Sequence, residues 1–268
     1  LYGFIEPDGG SILYEGRDFR AHRTEIKRTI GVCTQDDTLD YDFSVKQNLE
    51  VYAGYFRPKV GHLRERVEAL LVRFGLEAYR NHTPQALSGG YKRRLLIARS
   101  VVHSPRVLFL DEPTTGLDPR ARLDVWRLVD SMRAEGMGII LTTHYMDEAE
   151  RLSDELLVLS RGEAIARGSP AEVLGRVLGE HVVVIPPREP GREAIARWIA
   201  QNVAAHAAEV LGELRVPMNG AELARFGQVF GGARFSVRTP NLDDLFLELS
   251  ERGRLPLPVD RRHDVEAP

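Results

Sequence analysis

Asp111 and Glu112 arrive side by side at the end of a four-residue apolar run, 107–110, inside the stretch VLFLDEPTTGLD. Two carboxylates at one point can divide a hydrolytic task, one holding a metal ion and the other a water. The run is too short for a helix and suits a strand buried on both faces. Ligands of open α/β sheets bind in the crevice beyond the C-terminal strand ends, so both carboxylates are expected to face a site rather than the core. A plainer reading stands beside this one: Asp-Glu-Pro simply ends the strand, with Asp118 and Pro119 as cap and first residue of the next helix.

Three other places carry groups with chemistry. Gln35 sets a side-chain amide at the end of a second short apolar run, TIGVCT. Ser88, Gly89 and Gly90 form a polar turn that feeds a helix; Ser88 can cap it, and the glycines let backbone N–H groups approach a ligand closely. Bare N–H groups at a helix start attract an anion. His144 closes an apolar run at 137–143, where an isolated histidine is more often satisfied by hydrogen bonding than catalytic. Lys92, Arg93, Arg94 and Arg99 read mostly as an ordinary solvated face.

Elements with readable signatures position these groups. Pro7, Asp8, Gly9 and Gly10 make a turn ahead of a strand at 11–14, and Gly16 closes a hairpin. Ser44 can cap a helix running through Val45, Leu49, Tyr52 and Ala53, broken by Pro58 and Gly61. Leu63, Val67, Leu70, Leu71 and Phe74 share one face of another helix and read as core. A helix is expected over 119–134, with Val125, Leu128, Val129 and Met132 inward, then strands at 137–143, 154–160 and 162–167, and a helix from Pro170. Composition shifts after about Gly179, where Pro186, Pro187, Pro190 and Gly191 open a new unit. Helical text at 193–204, 221–230 and 242–249 alternates there with strand text at 211–217 and 233–239, which predicts a small α+β domain. It holds no catalytic constellation of its own, and a loose tail is expected after Gly253.

The chain of 268 residues, 43% hydrophobic, can bury a core plus a smaller domain. Its 36 basic and 39 acidic residues leave a formal charge of -3, which offers no electrostatic footprint for nucleic acid. The single cysteine, Cys33, cannot form an internal disulfide and fits a reducing compartment, with the cytosol as default. No apolar run approaches the roughly 18 residues that span a bilayer, so membrane association is expected through a partner protein.

Taken in order, Gln35, LSGGYKRR, RVLFLDEP, the GLD of 116–118 and LTTHYMDEAE around His144 resemble the ATP-binding cassette (ABC) ATPases. Within that family, DFSVKQNLEVYAGYF, LDPRARLDVW, THYMDEAERLSD and the closing PNLDDLFLELS resemble the drug-resistance and nodulation-factor export group that works with ABC-2 type permeases. The resemblance implies a P-loop NTPase-like α/β sheet with a helical subdomain at about 40–104, within a nucleotide-binding domain over 1–172. A C-terminal α+β accessory domain over 173–250 and a flexible tail over 251–268 would follow.

It also implies ATP and Mg2+ as ligands. Asp111 would help hold Mg2+, Glu112 would polarise the attacking water, and Gln35 would touch metal or water and report to the permease. His144 would contact the γ-phosphate and position the water through Glu112. Ser88, Gly89 and Gly90 would bind the γ-phosphate of ATP held mainly by a second copy, with Asp118 at the same interface of a head-to-tail homodimer. The implied place is the cytoplasmic face of a bacterial membrane, reached through the permease without insertion.

Two departures stand out. Tyr91 takes a position where methionine or glutamine is frequent, and no loss is expected from it. More importantly, G-x-x-x-x-G-K-[ST] occurs nowhere in this sequence, so the phosphate cradle and its lysine are absent. The expectation is an N-terminally shortened ATPase, inactive as given although the downstream site residues are intact. Two other classes remain open: a soluble cassette ATPase not coupled to transport, and a non-catalytic regulatory or interaction fragment.

Overall fold

The computed structural model describes Tyr2, Gly3 and residues 5–251; the tail expected after Gly253 lies outside the described residues. Two compact units divide the chain between His144 and Tyr145.

In the first unit a short antiparallel hairpin pairs β1 (Leu13–Tyr14) with β2 (Arg17–Asp18). Gly16, at φ +74°, turns it as the sequence suggests. Helix α1 (Arg23–Arg28), which no capping signal announced, leads into strand β3 (Ile30–Cys33). Helix α2 (Val45–Ala53) begins at Ser44, whose side chain accepts from the Gln47 amide while Gln47 reaches back, a reciprocal capping box. Helix α3 (Leu63–Arg73) buries Val67, Leu70 and Leu71, with Phe74 just beyond, as its periodicity predicts. Two single 3-10 turns, Glu77–Tyr79 and Pro84–Ala86, then lead to α4 (Gly89–Ser100). Strand β4 (Val107–Asp111), helix α5 (Pro119–Ala134) and strand β5 (Gly138–Thr142) complete the unit.

Strands β3, β4 and β5 form a parallel sheet in that order, with Cys33 opposite Leu110 and Asp111 opposite Thr142. The apolar middle of β4 is buried, as a central parallel strand requires. Helix α4 buries Leu95, Leu96, Ile97 and Ala98 and ends close against β3: a Cβ on Gly31 would stand 2.4 Å from the Ser100 carbonyl oxygen. Only glycine permits that approach.

Behind this contact the His103 ring stacks on Phe56 at 3.7 Å between centroids, and its Nε2 lies 2.9 Å from the Ile30 carbonyl oxygen. Burial pushes the imidazole down from its ordinary value to about 4. Between pH 6.5 and 4 the unfolded chain therefore takes up a proton that the folded chain refuses, so stability falls as pH falls through that window. Denaturant titrations at pH 7 and pH 4.5 are expected to show a loss of about 1–2 kcal/mol that His103→Leu removes. An identical loss in the variant would assign the pH dependence elsewhere.

The second unit starts with α6 (Met146–Leu152) and an antiparallel ribbon of β6 (Leu156–Ser160) and β7 (Glu163–Gly168), bulged at Val158/Leu159. Helix α7 (Pro170–Leu178) follows from a Ser169/Glu172 capping box. A four-stranded antiparallel sheet, ordered β11-β8-β10-β9, comes from β8 (His181–Ile185), β9 (Ala208–Val210), β10 (Glu213–Met218) and β11 (Ser236–Arg238). Helices α8 (Arg192–Asn202) and α9 (Gly220–Phe230) cover it with Ile195, Ile199 and Phe226. The last helix, α10 (Leu242–Glu251), puts Leu242 and Leu245 into one core with Leu156, Ala166, Val173 and Leu174. The division expected near residue 172 thus falls inside this unit. Among the described residues no helix is long and apolar enough to cross a membrane.

Candidate functional site

Parallel register explains how distant pieces of sequence meet. The three strands end level with one another, so the residues that follow each strand, Thr34 and Gln35, Glu112, and Thr143 and His144, emerge at one sheet edge. Glu112 is their meeting point. Its Oε2 accepts from Gln35 Nε2 at 3.1 Å and from Thr115 Oγ1 at 2.9 Å, and His144 Nδ1 lies 3.2 Å away. The Glu112 amide donates to the Thr142 carbonyl at 3.0 Å. One residue earlier, Asp111 Oδ1 accepts from the Thr142 hydroxyl.

Glu112 holds this geometry at φ +44°, a left-handed conformation that side chains other than glycine rarely adopt. Such strain persists where the surroundings over-determine it and costs on the order of 1–3 kcal/mol. Here the bonds to Thr142, Gln35 and Thr115 supply that determination.

The turn at Ser88 is built differently from the starts of α2 and α5. Ser44 and Asp118 both cap with their side chains, Asp118 accepting from the amides of Arg120 and Ala121 at 3.0 Å. Ser88 occupies the cap position of α4 in extended backbone, yet its side chain makes no capping bond. Ser88 and Gly89 are exposed and Gly90 is buried. A Cβ on Gly90 would meet Ala121 Cβ at 2.8 Å, whereas one on Gly89 would meet only Leu117 at 3.8 Å. Gly90 therefore serves packing against α5, and Gly89 leaves an uncrowded helix start with the donor groups an anion requires.

The basic stretch after this turn is not the solvated face its composition suggests. Arg93 is 7% exposed. Lys92 donates to the Tyr41 hydroxyl at 3.1 Å, Arg94 lies over the Tyr91 ring at 4.1 Å, and Arg99 bonds to Thr38 and lies over the Tyr52 ring. Tyr91 packs on Tyr79, 4.6 Å between ring centres, which accounts structurally for the aromatic residue after the glycines. Burial pushes the Cys33 thiol up, opposed by Arg93, so this cysteine is a neutral packing group rather than a nucleophile.

The sequence pattern left Thr115 and Thr142 unread and set Arg93 on a solvated face. Thr115 had a usable signal, lying three residues beyond Glu112 in a turn; Arg93 and Thr142 had none beyond their place on elements already identified. Among the described residues no group of three or more His, Cys, Asp or Glu side chains could hold a metal. Asp111, a single carboxylate at the strand end, suits the mode in which Mg2+ takes one protein carboxylate and completes its shell with phosphate oxygens and water.

A parallel sheet whose strand ends gather a carboxylate pair, a glutamine and a histidine defines an α/β protein with the groups for hydrolysis. The comparisons specify which: residues 1–115 match the ABC transporter family. A Nod factor export ATP-binding protein I from Ralstonia nicotianae is 38% identical over 256 residues, covering 94% of this chain and 80% of that one. The cbiO1 structure from Clostridium perfringens, part of the ABC transporter complex cbiONQ, superposes with a TM-score of 0.59 at 30% identity, covering 75% of this chain and 76% of that chain. The cassette MJ0796, dimeric and bound to ADP and Pi, shares the fold with a TM-score of 0.54 at 24% identity, covering 62% of this chain and 75% of that chain. This chain belongs to the family of ABC transporter ATP-binding subunits.

Proposed function

We propose that this chain is the ATP-hydrolysing subunit that powers an export transporter of the ABC-2 type, acting as a head-to-tail dimer beneath its permease at the cytoplasmic face of the membrane. The observation that carries the reading is the convergence of Gln35, Thr115 and His144 on the Glu112 carboxylate. Phosphoryl transfer is catalysed by positioning and by neutralising charge on the γ oxygens. In this reading Glu112 polarises the attacking water, His144 and Gln35 hold its carboxylate in line, and His144 faces the γ-phosphate. Mg2+, held through Asp111, would supply charge neutralisation at the phosphate oxygens. The Ser88–Gly90 turn, exposed at Ser88 and Gly89, takes the γ-phosphate of ATP carried by the second copy, with Asp118 at the same interface. Export as the direction of transport follows the relatives named for Nod factor export. Residues 173–250, with the sheet of β8 to β11 and its own core, are proposed as the accessory module of this subunit group.

Gly89→Asp tests the cross-subunit assignment. The fold has room for the side chain, so the variant reports charge: a carboxylate now faces phosphate at a helix start. In a chain that carries a phosphate-binding loop ahead of Leu1, ATP-driven dimerisation and hydrolysis should both fall by roughly tenfold or more. ATP binding to the monomer should change little. Lost monomer binding with normal dimerisation would refute the assignment. Co-purification with a co-expressed ABC-2 type permease tests the transport assignment, and failure of that pair to associate would favour a cassette ATPase without a membrane partner.

A further inference from the structure

Arg93 is a buried cation with no carboxylate paired to it among the described residues. Its NH1 donates to the Thr34 carbonyl at 2.9 Å and lies 3.9 Å from Cys33 Sγ. Its NH2 donates to the Gln35 carbonyl at 3.1 Å and to the Glu112 carbonyl at 3.4 Å. Among the described residues these are all of its hydrogen bonds. Buried charges are ordinarily paired with opposite charges, and a guanidinium that instead spreads its fork over three carbonyl oxygens is being used for geometry.

Those oxygens belong to the two loops that carry Gln35 and Glu112, and Arg93 itself stands at the start of the second turn of the helix that Ser88, Gly89 and Gly90 open. One side chain therefore ties three segments, 34–35, 112 and 88–93, to a single point. The tie to the Glu112 carbonyl acts on the residue whose backbone is held at φ +44°, and the tie to Gln35 acts on the amide donor to the same carboxylate. Arg99 and Lys92 extend this hold along the loop by bonding to Thr38 and Tyr41, but neither reaches Glu112.

We infer that Arg93 is a positioning residue for ATP hydrolysis: it fixes the Glu112 carboxylate and the Gln35 amide relative to each other and to the Ser88–Gly90 turn, so that closure on phosphate at the turn is felt at the hydrolytic carboxylate. The inference rests on the assignment of Glu112 proposed above. Lysine cannot replace it, because an ammonium is a point donor without the planar fork that spans carbonyls on two loops.

The test compares Arg93→Lys, Arg93→Met and Glu112→Gln in a chain that carries a phosphate-binding loop. Arg93→Met should lower kcat by about tenfold to a hundredfold, the scale of a small misplacement of reacting groups, with KM for Mg-ATP within about threefold. Arg93→Lys should recover only part of the loss. A second measurement needs no turnover and uses the 268-residue chain: Arg93→Lys should speed amide hydrogen exchange in 34–37 and 112–115 together, while 181–185 and 213–218 keep their protection. Unchanged exchange in either loop, or kcat within about twofold of wild type in both Arg93 variants while Glu112→Gln is impaired, would overturn the inference. Wild-type turnover by Glu112→Gln would instead remove the site assignment beneath it.

Discussion

Glu112→Gln, in a chain that carries a phosphate-binding loop, is expected to slow ATP hydrolysis by roughly 10² to 10⁴, the weight of a positioned general base. The substitution is close to isosteric, so it tests charge and proton affinity rather than packing. Thr115 Oγ1 can still bond to the amide oxygen, and the backbone bonds to Thr142 do not involve the side chain. What changes is the acceptor that Gln35 and His144 share, since an amide cannot draw a proton from water as a carboxylate does. ATP affinity should be kept, because no predicted phosphate contact is removed. Steady-state hydrolysis with equilibrium nucleotide binding checks both halves, and near-wild-type turnover would take Glu112 out of the role.

The 268-residue chain as it stands should bind Mg-ATP very weakly and show negligible turnover, although Asp111, Glu112 and His144 are assembled. A phosphate loop contributes several backbone donors and a lysine, each charge-assisted bond being worth about 1.5–3 kcal/mol. Two left unreplaced amount to at least about 3 kcal/mol, upwards of a hundredfold in affinity. The sheet adds a second consequence. Strands β3 and β5 are its outer members among the described residues, and β5 is open enough that Ile140 is 38% exposed. Unpaired strand edges with apolar side chains recruit other chains, so aggregation should accompany weak binding. Calorimetric titration with Mg-ATP, with light scattering on the same sample, decides this. A micromolar dissociation constant with measurable turnover would mean that groups elsewhere in the chain hold the phosphates.

Much of this architecture was legible because it rests on local rules. Ser44 and Asp118 announced their helices through capping chemistry and each does cap, whereas the Ser88 side chain does not. The run 107–110 announced a buried strand and is one. Helix α1 went unread because its six residues carry one buried side chain, Ile26, and therefore no periodicity. The site was legible as a set of residues and not as a set of contacts: that Asp111 lies opposite Thr142 is fixed by strand register, which no local pattern specifies. Arg93 was misread for a related reason. A charged residue in a helix looks solvated until the carbonyls that receive it, at Thr34, Gln35 and Glu112, are brought to it by the sheet.

The left-handed backbone of Glu112 sets the interests of the fold against those of the enzyme. Glycine at residue 112 would relieve about 1–2 kcal/mol of local strain, enough for a heat-resistance screen to reward it while abolishing the carboxylate. Laboratory selection for robustness alone would therefore be expected to erode this subunit first at its working centre. Any stabilised version has to be bred with hydrolysis as a second criterion, because at this position gain in one is bought with loss of the other.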